Sequence, residues 1–402
     1  MFIRKNYLKK IQPFIDKPVI KIITGMRRTG KSYFLRQIIN GLIKNQQVNE
    51  NHILYINKES MAFDFIKDEQ DLYHYVRSRF GDPSGEKKYL FIDEVQEISG
   101  WEKAVTSFFG EGNFDIFISG SNAHLLSSDL ATLLSGRYIE FPIYSLSFGE
   151  FLLFRADTKG SDPDEFFNYL KYGGFPAIHH FGLEEEITYQ YVSALYNTIL
   201  LKDVIKKNNI RNVTLLENLA NYLFENVGNL FSARKISAYL KSQRLSVGVE
   251  TVQNYISYLC STFVLHKVPR YDLKGKRILE IQEKYYLGDI GIRHAVLGYR
   301  EADISGILEN IVYLELRRRG YKVYIGKWED KEIDFIAIKS AEKIYIQVAY
   351  QLSSRETRDR EFSTLAKIKD NYPKYVISMD TALGQDFNGI KRIHIIDFLL
   401  RP

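Results

Sequence analysis

The chain has one cysteine, Cys260, among 402 residues, so no internal disulfide can form and nothing in the fold requires an oxidising compartment. Long apolar runs are missing too. No stretch approaches the length of a membrane span, and residues 1–10 mix basic side chains with isolated apolar ones instead of the continuous apolar core of an export signal. A cytoplasmic location without membrane contact is the expectation. The eight histidines show neither metal-ligand spacing nor a cysteine partner, and His179-His180 reads as loop after a proline turn. Internal repeats, low-complexity tracts and tethering linkers are absent, which predicts domains that pack. What is present is 45% hydrophobic content, enough for two or three domains. The 55 basic and 49 acidic residues leave a net charge of +6, compatible with nucleic acid without pointing to it.

Gly25-Met26-Arg27-Arg28-Thr29-Gly30-Lys31-Ser32 sets two glycines, a lysine and a hydroxyl at the spacing of a phosphate-binding P-loop. The apolar run 19–23 before it predicts a buried parallel strand, and residues 33–42 after it predict a helix. Gly25 and Gly30 let the backbone curl so that the amides of residues 25–32 converge on phosphate at the positive end of the helix dipole. Lys31 would reach the β and γ phosphates, and Ser32 would offer its hydroxyl to Mg²⁺. Residues 53–56 predict a second strand, and 70–80 a helix closed by the turn 81–85. Tyr89-Leu90-Phe91-Ile92-Asp93-Glu94 then reads as a buried strand delivering two carboxylates to the carboxyl edge of a parallel sheet. Asp93 would hold Mg²⁺ through water, and Glu94 would polarise the attacking water.

A further strand, 114–119, ends in Gly120-Ser121-Asn122. Asn122 is the candidate sensor of the γ-phosphate and Ser121 its rival, while an Asn here also serves simply to cap a helix starting at Ala123. Leu133-Leu134-Ser135-Gly136-Arg137-Tyr138 sets Arg137 after the next helix. A guanidinium there would stabilise the γ-phosphate of its own or a neighbouring subunit, or would be a surface arginine in a turn.

The order GMRRTGKS, YLFIDEVQ, FISGSN and LLSGRY, followed by FPIYSLSFGEFL and YLKYGGFPAI, resembles the AAA+-like ATPases of bacteria and archaea that carry a C-terminal domain of uncharacterised function. The resemblance covers nearly the whole chain, most specifically residues 22–151. It implies a P-loop sheet in residues 1–150, Walker A, Walker B, sensor and arginine roles for the residues just named, and closure of the core by residues 141–151. It also implies ATP as the nucleotide, and no guanine-specific Asn-Lys-x-Asp motif is present.

Residues 166–172 predict a helix stopped by Gly173-Gly174, and 183–206 a long helical stretch, together a lid within 151–210. Between 211 and 285, helices at 215–226 and 233–240 are followed by a third with Val249, Val252, Ile256 and Leu259 on one face. The strands 263–268 and 278–281 around the basic turn Lys274-Gly275-Lys276-Arg277 complete the order of a winged helix. Gln253 and Asn254 would face base edges, with Lys241, Arg244, Lys274, Lys276 and Arg277 on phosphates. A module that transmits movement or binds a protein fits the same pattern. The region 286–402 alternates helix and strand and looks like the restriction-endonuclease-like fold, with Glu309 on a helix and Asp334 in a strand. That fold gathers metal with an acidic residue, an aspartate and a Glu-x-Lys pair. Here Gln347 and Ala349 stand at the last two positions, so nuclease activity is not expected, although Gln347 keeps a carbonyl for weak coordination. A plain α/β domain with buried strands is the alternative.

The expected fold class is thus α/β: a P-loop parallel sheet, a winged helix and a smaller nuclease-like α/β domain. The expected activity is Mg²⁺-dependent ATP hydrolysis that drives or gates movement of the C-terminal half. The alternative is a nucleotide-gated DNA-binding module or protein scaffold with slow turnover. DNA, a protein partner and further copies of the chain are the partners to consider.

Overall fold

The computed structural model describes residues 2–81, 85–126, 134, 136–156, 160–245, 247–352, 354–380 and 386–401. Part of the turn expected at 81–85, residues 133 and 135, and most of the helix expected after Ala123 lie outside them. The chain divides into two compact units: residues 1–143 with 261–263, and residues 144–260 with 264–402.

The first unit is a five-stranded parallel sheet in the order β2-β3-β4-β1-β5. Its strands are β1 (Ile20–Thr24), β2 (Ile53–Asn57), β3 (Lys88–Asp93), β4 (Phe114–Gly120) and β5 (Tyr138–Pro142). Every residue of β1, β3 and β4 is buried, as strands covered on both faces require. Alternation splits them. Ile20, Ile22, Leu90, Ile92, Ile116 and Ile118 pack with Leu72, Val76, Val105 and Phe108, while Ile23, Phe91 and Phe117 pack with Ile11, Phe34, Leu35 and Ile38. Phe91 and Phe117 stack at 4.5 Å between centroids. Burying each such side chain is worth about 2 kcal/mol, so the apolar runs that predict the strands also hold the sheet flat against its helices.

The second unit opens with helices. Asp162–Tyr172 stops at Gly173, which takes φ +78, and Glu185–Thr198 continues as a π-helix through Ile199–Lys206. Helices Val213–Glu225, Ala233–Ser242 and Val249–Ser261 follow, the second capped by the Ser232 side chain. A seven-stranded mixed sheet completes the unit in the order β12-β11-β10-β9-β8-β6-β7. Its strands are β6 (Leu265–Asp272), β7 (Arg277–Leu287), β8 (Lys322–Trp328), β9 (Lys331–Lys339), β10 (Glu342–Val348), β11 (Lys374–Ser378) and β12 (Lys391–His394). The expected boundary between 285 and 286 therefore falls inside β7. The hairpin β6–β7 extends the C-terminal sheet through the parallel pairing of β6 with β8, so residues 211–285 and 286–402 share one sheet. The physical reason is that β7 runs well past the short strand 278–281 expected after the basic turn.

His294 is 1% exposed, and burial, with Arg293 beside it, holds its imidazole down to about 4. His179, between Phe151 and Phe154, is likewise held down to about 4 by burial and Arg155. Both are neutral when folded, whereas the unfolded chain takes up their protons near pH 6.5. Their contribution is therefore complete above about pH 6.5 and is lost as pH falls toward 4, at up to roughly 1.4 kcal/mol per pH unit for each histidine. Urea titrations at neutral and mildly acidic pH are expected to show a lower midpoint in acid, with a shallower pH dependence in His294→Asn. An equal dependence in both proteins contradicts this assignment.

Candidate functional site

The loop after β1 is shaped by backbone alone. Gly25 has φ +146, and a Cβ there would lie 2.2 Å from the carbonyl oxygen of Ile143, so only glycine fits. Ile143 is itself pinned by its N–H, which donates to the Thr24 carbonyl at 2.7 Å. At the other end Gly30, with φ +99, is the N-cap of the helix Lys31–Gln46. A residue without a side chain cannot cap, which leaves the first-turn amides available to an anion at the positive end of the helix dipole. Inside the loop the Thr29 hydroxyl donates to the Met26 carbonyl at 2.9 Å, and buried Arg4 donates to the Thr29 carbonyl at 3.1 Å. Arg27 pairs with Glu59 at 2.9 Å, and Arg28 adopts a left-handed conformation with φ +63.

Lys31 is 4% exposed; its ammonium donates to the Met26 carbonyl at 3.2 Å and lies 3.3 Å from Glu94 Oε1. Glu94 leaves β3 in the left-handed region, φ +55, a conformation that costs a non-glycine residue on the order of 1 kcal/mol. Its N–H donates to Ser119 Oγ at 3.2 Å, and its Oε2 accepts from Gln96 at 2.5 Å and Ser121 at 2.8 Å. Burial works against the Glu94 charge, but Lys31, the Gln96 and Ser121 hydrogen bonds and Arg27 outweigh it and hold the carboxyl at about 2. Asp93 is fully buried; one oxygen accepts from the Ser119 hydroxyl and the other from the Tyr55 hydroxyl at 2.8 Å. Burial and the Asp93 carboxylate push the Tyr55 hydroxyl well above the ordinary tyrosine range, so it stays a donor.

Lys31, Asp93, Glu94 and Ser121 thus meet at the carboxyl edge of the sheet, beside half-buried Ser32 at the start of the helix. Of the two sensor candidates, Ser121 holds Glu94, whereas Asn122 is buried with its backbone carbonyl accepting from the Leu125 N–H at 3.2 Å. Arg137 is exposed and sits at the opposite edge: its carbonyl accepts from the Ile20 N–H at 2.9 Å, and β5 then runs alongside β1 with Pro142 opposite Thr24. The five residues of β1, about 17 Å at the usual strand rise, separate it from its own phosphate loop. Tyr55, Ser119 and Gln96 carry no role in the sequence reading. Tyr55 and Ser119 are ordinary strand residues until register puts them beside Asp93; only the YLFIDEVQ segment signals Gln96.

In the second unit Gln253 and Asn254 are exposed, as are Lys241, Arg244, Lys274, Lys276 and Arg277. Val249 is exposed rather than on the buried face that holds Val252, Ile256 and Leu259. Part of the basic turn is compensated: Lys274 lies 3.4 Å from Glu329, and Asp272 accepts from the Lys274 and Gly275 amides at 3.1 Å. Glu309 and Asp334 come together, but the Gln347 side-chain carbonyl accepts from the Asp334 N–H at 2.7 Å. That bond takes one of the two lone pairs of the Gln347 oxygen.

The chain belongs to the same family as an uncharacterised protein of Haemophilus influenzae, which is 38% identical over 404 residues, covering 100% of this chain and 99% of that one. An uncharacterised protein of Methanocaldococcus jannaschii is 32% identical over 370 residues, covering 87% of this chain and 79% of that one. Residues 17–152 match an AAA domain, and residues 163–303 match a domain of unknown function. Among solved structures, that of the Aeropyrum pernix Orc1 protein in complex with DNA is similar at 11% identity and a TM-score of 0.33, over 74% of this chain and 92% of that one.

The buried pair of Lys31 and Glu94 predicts a specific coupling. Lys31→Met leaves an uncompensated buried carboxylate and is expected to destabilise the first unit by about 3 kcal/mol, while Lys31→Met combined with Glu94→Gln recovers much of the loss. Chemical unfolding of the four proteins without nucleotide measures this. Simple additivity of the two changes contradicts it.

Proposed function

We propose that this AAA-domain protein binds and hydrolyses ATP with Mg²⁺, and that its nucleotide state drives or gates movement of the C-terminal half. The observation that carries the reading is the Lys31 ammonium 3.3 Å from Glu94 at the mouth of a glycine-capped helix, with Asp93 in the adjacent position. A phosphate seated on the first-turn amides offers Lys31 oxygens in place of Glu94 Oε1. Lys31 then neutralises phosphate charge, and Glu94, still held at Oε2 by Gln96 and Ser121, turns its freed oxygen to a water. With its carboxyl at about 2, Glu94 acts by orienting and polarising that water as a fully ionised acceptor.

The donor set fits Mg²⁺, which is held by one or two carboxylates together with substrate phosphates. Asp93, fixed at both oxygens by Ser119 and Tyr55, and Ser32, half-buried at the helix start, would hold it, and the ion would supply charge neutralisation between the phosphates. The absence of an Asn-Lys-x-Asp motif favours ATP over GTP.

Lys31→Ala is expected to abolish ATP binding and turnover, whereas Glu94→Gln retains binding and loses turnover by at least about 100-fold. Calorimetric binding and phosphate release measure the two separately, and unchanged hydrolysis in both variants ends this reading. Arg137, on the far edge from its own loop, reaches phosphate only in a second copy. Specific activity that rises with protein concentration supports an assembly of that kind, and a flat dilution profile makes Arg137 a surface residue.

A DNA-binding role is the second reading, favoured by the exposure of Gln253, Asn254, Lys241, Arg244, Lys276 and Arg277 in a segment of three helices followed by a hairpin, the winged-helix order. Titration of labelled duplex with and without ATP at two salt concentrations is expected to show affinity falling steeply with salt. Retardation that ignores salt, or none at all, leaves a protein-binding module instead.

A further inference from the structure

In the nuclease-like reading Ala349 stands where a lysine is expected, yet the structure brings a lysine to these carboxylates from another strand. β7 delivers Lys284, with 3% of its side chain exposed, into a set formed by Glu309 on the helix Ile304–Arg318 and by Glu332 and Asp334 on β9. The ammonium lies 3.0 Å from Glu309 Oε2, 2.7 Å from Glu332 Oε1 and 3.8 Å from Asp334 Oδ1. Two of the carboxylates are also held by neighbouring groups. Tyr286 donates to Glu309 Oε2 at 2.9 Å, and the Val348 N–H donates to Asp334 Oδ2 at 2.8 Å. Gln347 is engaged as well, accepting from the Asp334 N–H at 2.7 Å and donating to Glu361 at 2.8 Å.

We propose that Lys284 is the resident cation of this site: its ammonium occupies the seat that a divalent metal would take among these carboxylates, so the native chain does not bind Mg²⁺ or Mn²⁺ there. Carboxylates gathered away from water must share protons or face a cation, and leaving them without one is strongly unfavourable. Lys284 meets that need from within the chain. Burial opposes its charge, but Glu309, Asp334 and Glu332 hold the ammonium above the ordinary lysine range, so the charge is retained. A divalent ion needs oxygens at about 2.1 Å in near-octahedral order. Here the Gln347 carbonyl already accepts from the Asp334 N–H, and the charged ligands already converge on a cation. An opposite use of the same lysine, as a charge-stabilising group next to a bound metal, differs in one measurable respect: it requires metal to bind while Lys284 is present. This inference concerns the second unit and stands apart from the nucleotide reading.

The test counts Mn²⁺ bound by the full-length protein without nucleotide, using electron paramagnetic resonance. Wild type, Asp334→Asn and Glu332→Gln are expected to bind the same amount, because the set holds no metal in the native chain. Lys284→Gln is expected to gain one equivalent, and Lys284→Gln combined with Asp334→Asn to lose it again. One more equivalent in wild type than in Asp334→Asn overturns the proposal, and so does a Lys284→Gln protein with native circular dichroism that gains none. Should Lys284→Gln fail to fold, the comparison of wild type with Asp334→Asn and Glu332→Gln still decides.

Discussion

A buried ammonium must always face negative charge, and the carboxyl edge of the first sheet is organised around that constraint at Lys31. Without phosphate, its partners are the Met26 carbonyl and Glu94. Glu94 reaches it only because the chain turns through a left-handed conformation directly after β3, and it stays there because Gln96 and Ser121 grip its second oxygen. Asp93, one residue earlier, is fixed by Ser119 and Tyr55 from the strands on either side. One substitution at Lys31 therefore acts on the loop, on Glu94 and, through Ser119, on Asp93 together.

The second unit meets the same requirement with a different balance. Lys284 faces three carboxylates rather than one, and two of these are also held, Glu309 by Tyr286 and Asp334 by the Val348 amide. At Lys31 an incoming anion would compete with a single carboxylate in a loop whose helix amides are not capped by a side chain. At Lys284 a metal would have to displace the ammonium from the middle of its partners. The number of carboxylates around the lysine separates a site suited to exchange from one suited to remaining closed.

Much of the first unit was legible because it rests on local rules. The runs 19–23, 53–56 and 114–119 read as strands, the first as a buried parallel one, and they differ from the observed strands by a residue or so at their ends. The second unit was less legible. Its helices followed periodicity, but Val249 fell off the expected face, and β7 ran through the boundary drawn at 285. Strand length and pairing depend on which edges meet, and β6 finding β8 is a contact between distant parts of the chain that no local pattern encodes.

By itself, the sequence determined the phosphate loop, the buried strands of the parallel sheet and the pair of acids at the end of β3. A glycine forced to positive φ, an apolar run and an acidic turn are properties of consecutive residues. Only the tertiary structure decided which polar groups those acids touch. Tyr55 and Ser119 rather than any motif residue fix Asp93, Ser121 rather than Asn122 holds Glu94, Arg137 lies on the edge away from its own loop, and Lys284 faces Glu309, Glu332 and Asp334. Each of these follows from strand order and register, which bring together side chains that are far apart in the chain and belong to strands the motif pattern treats separately.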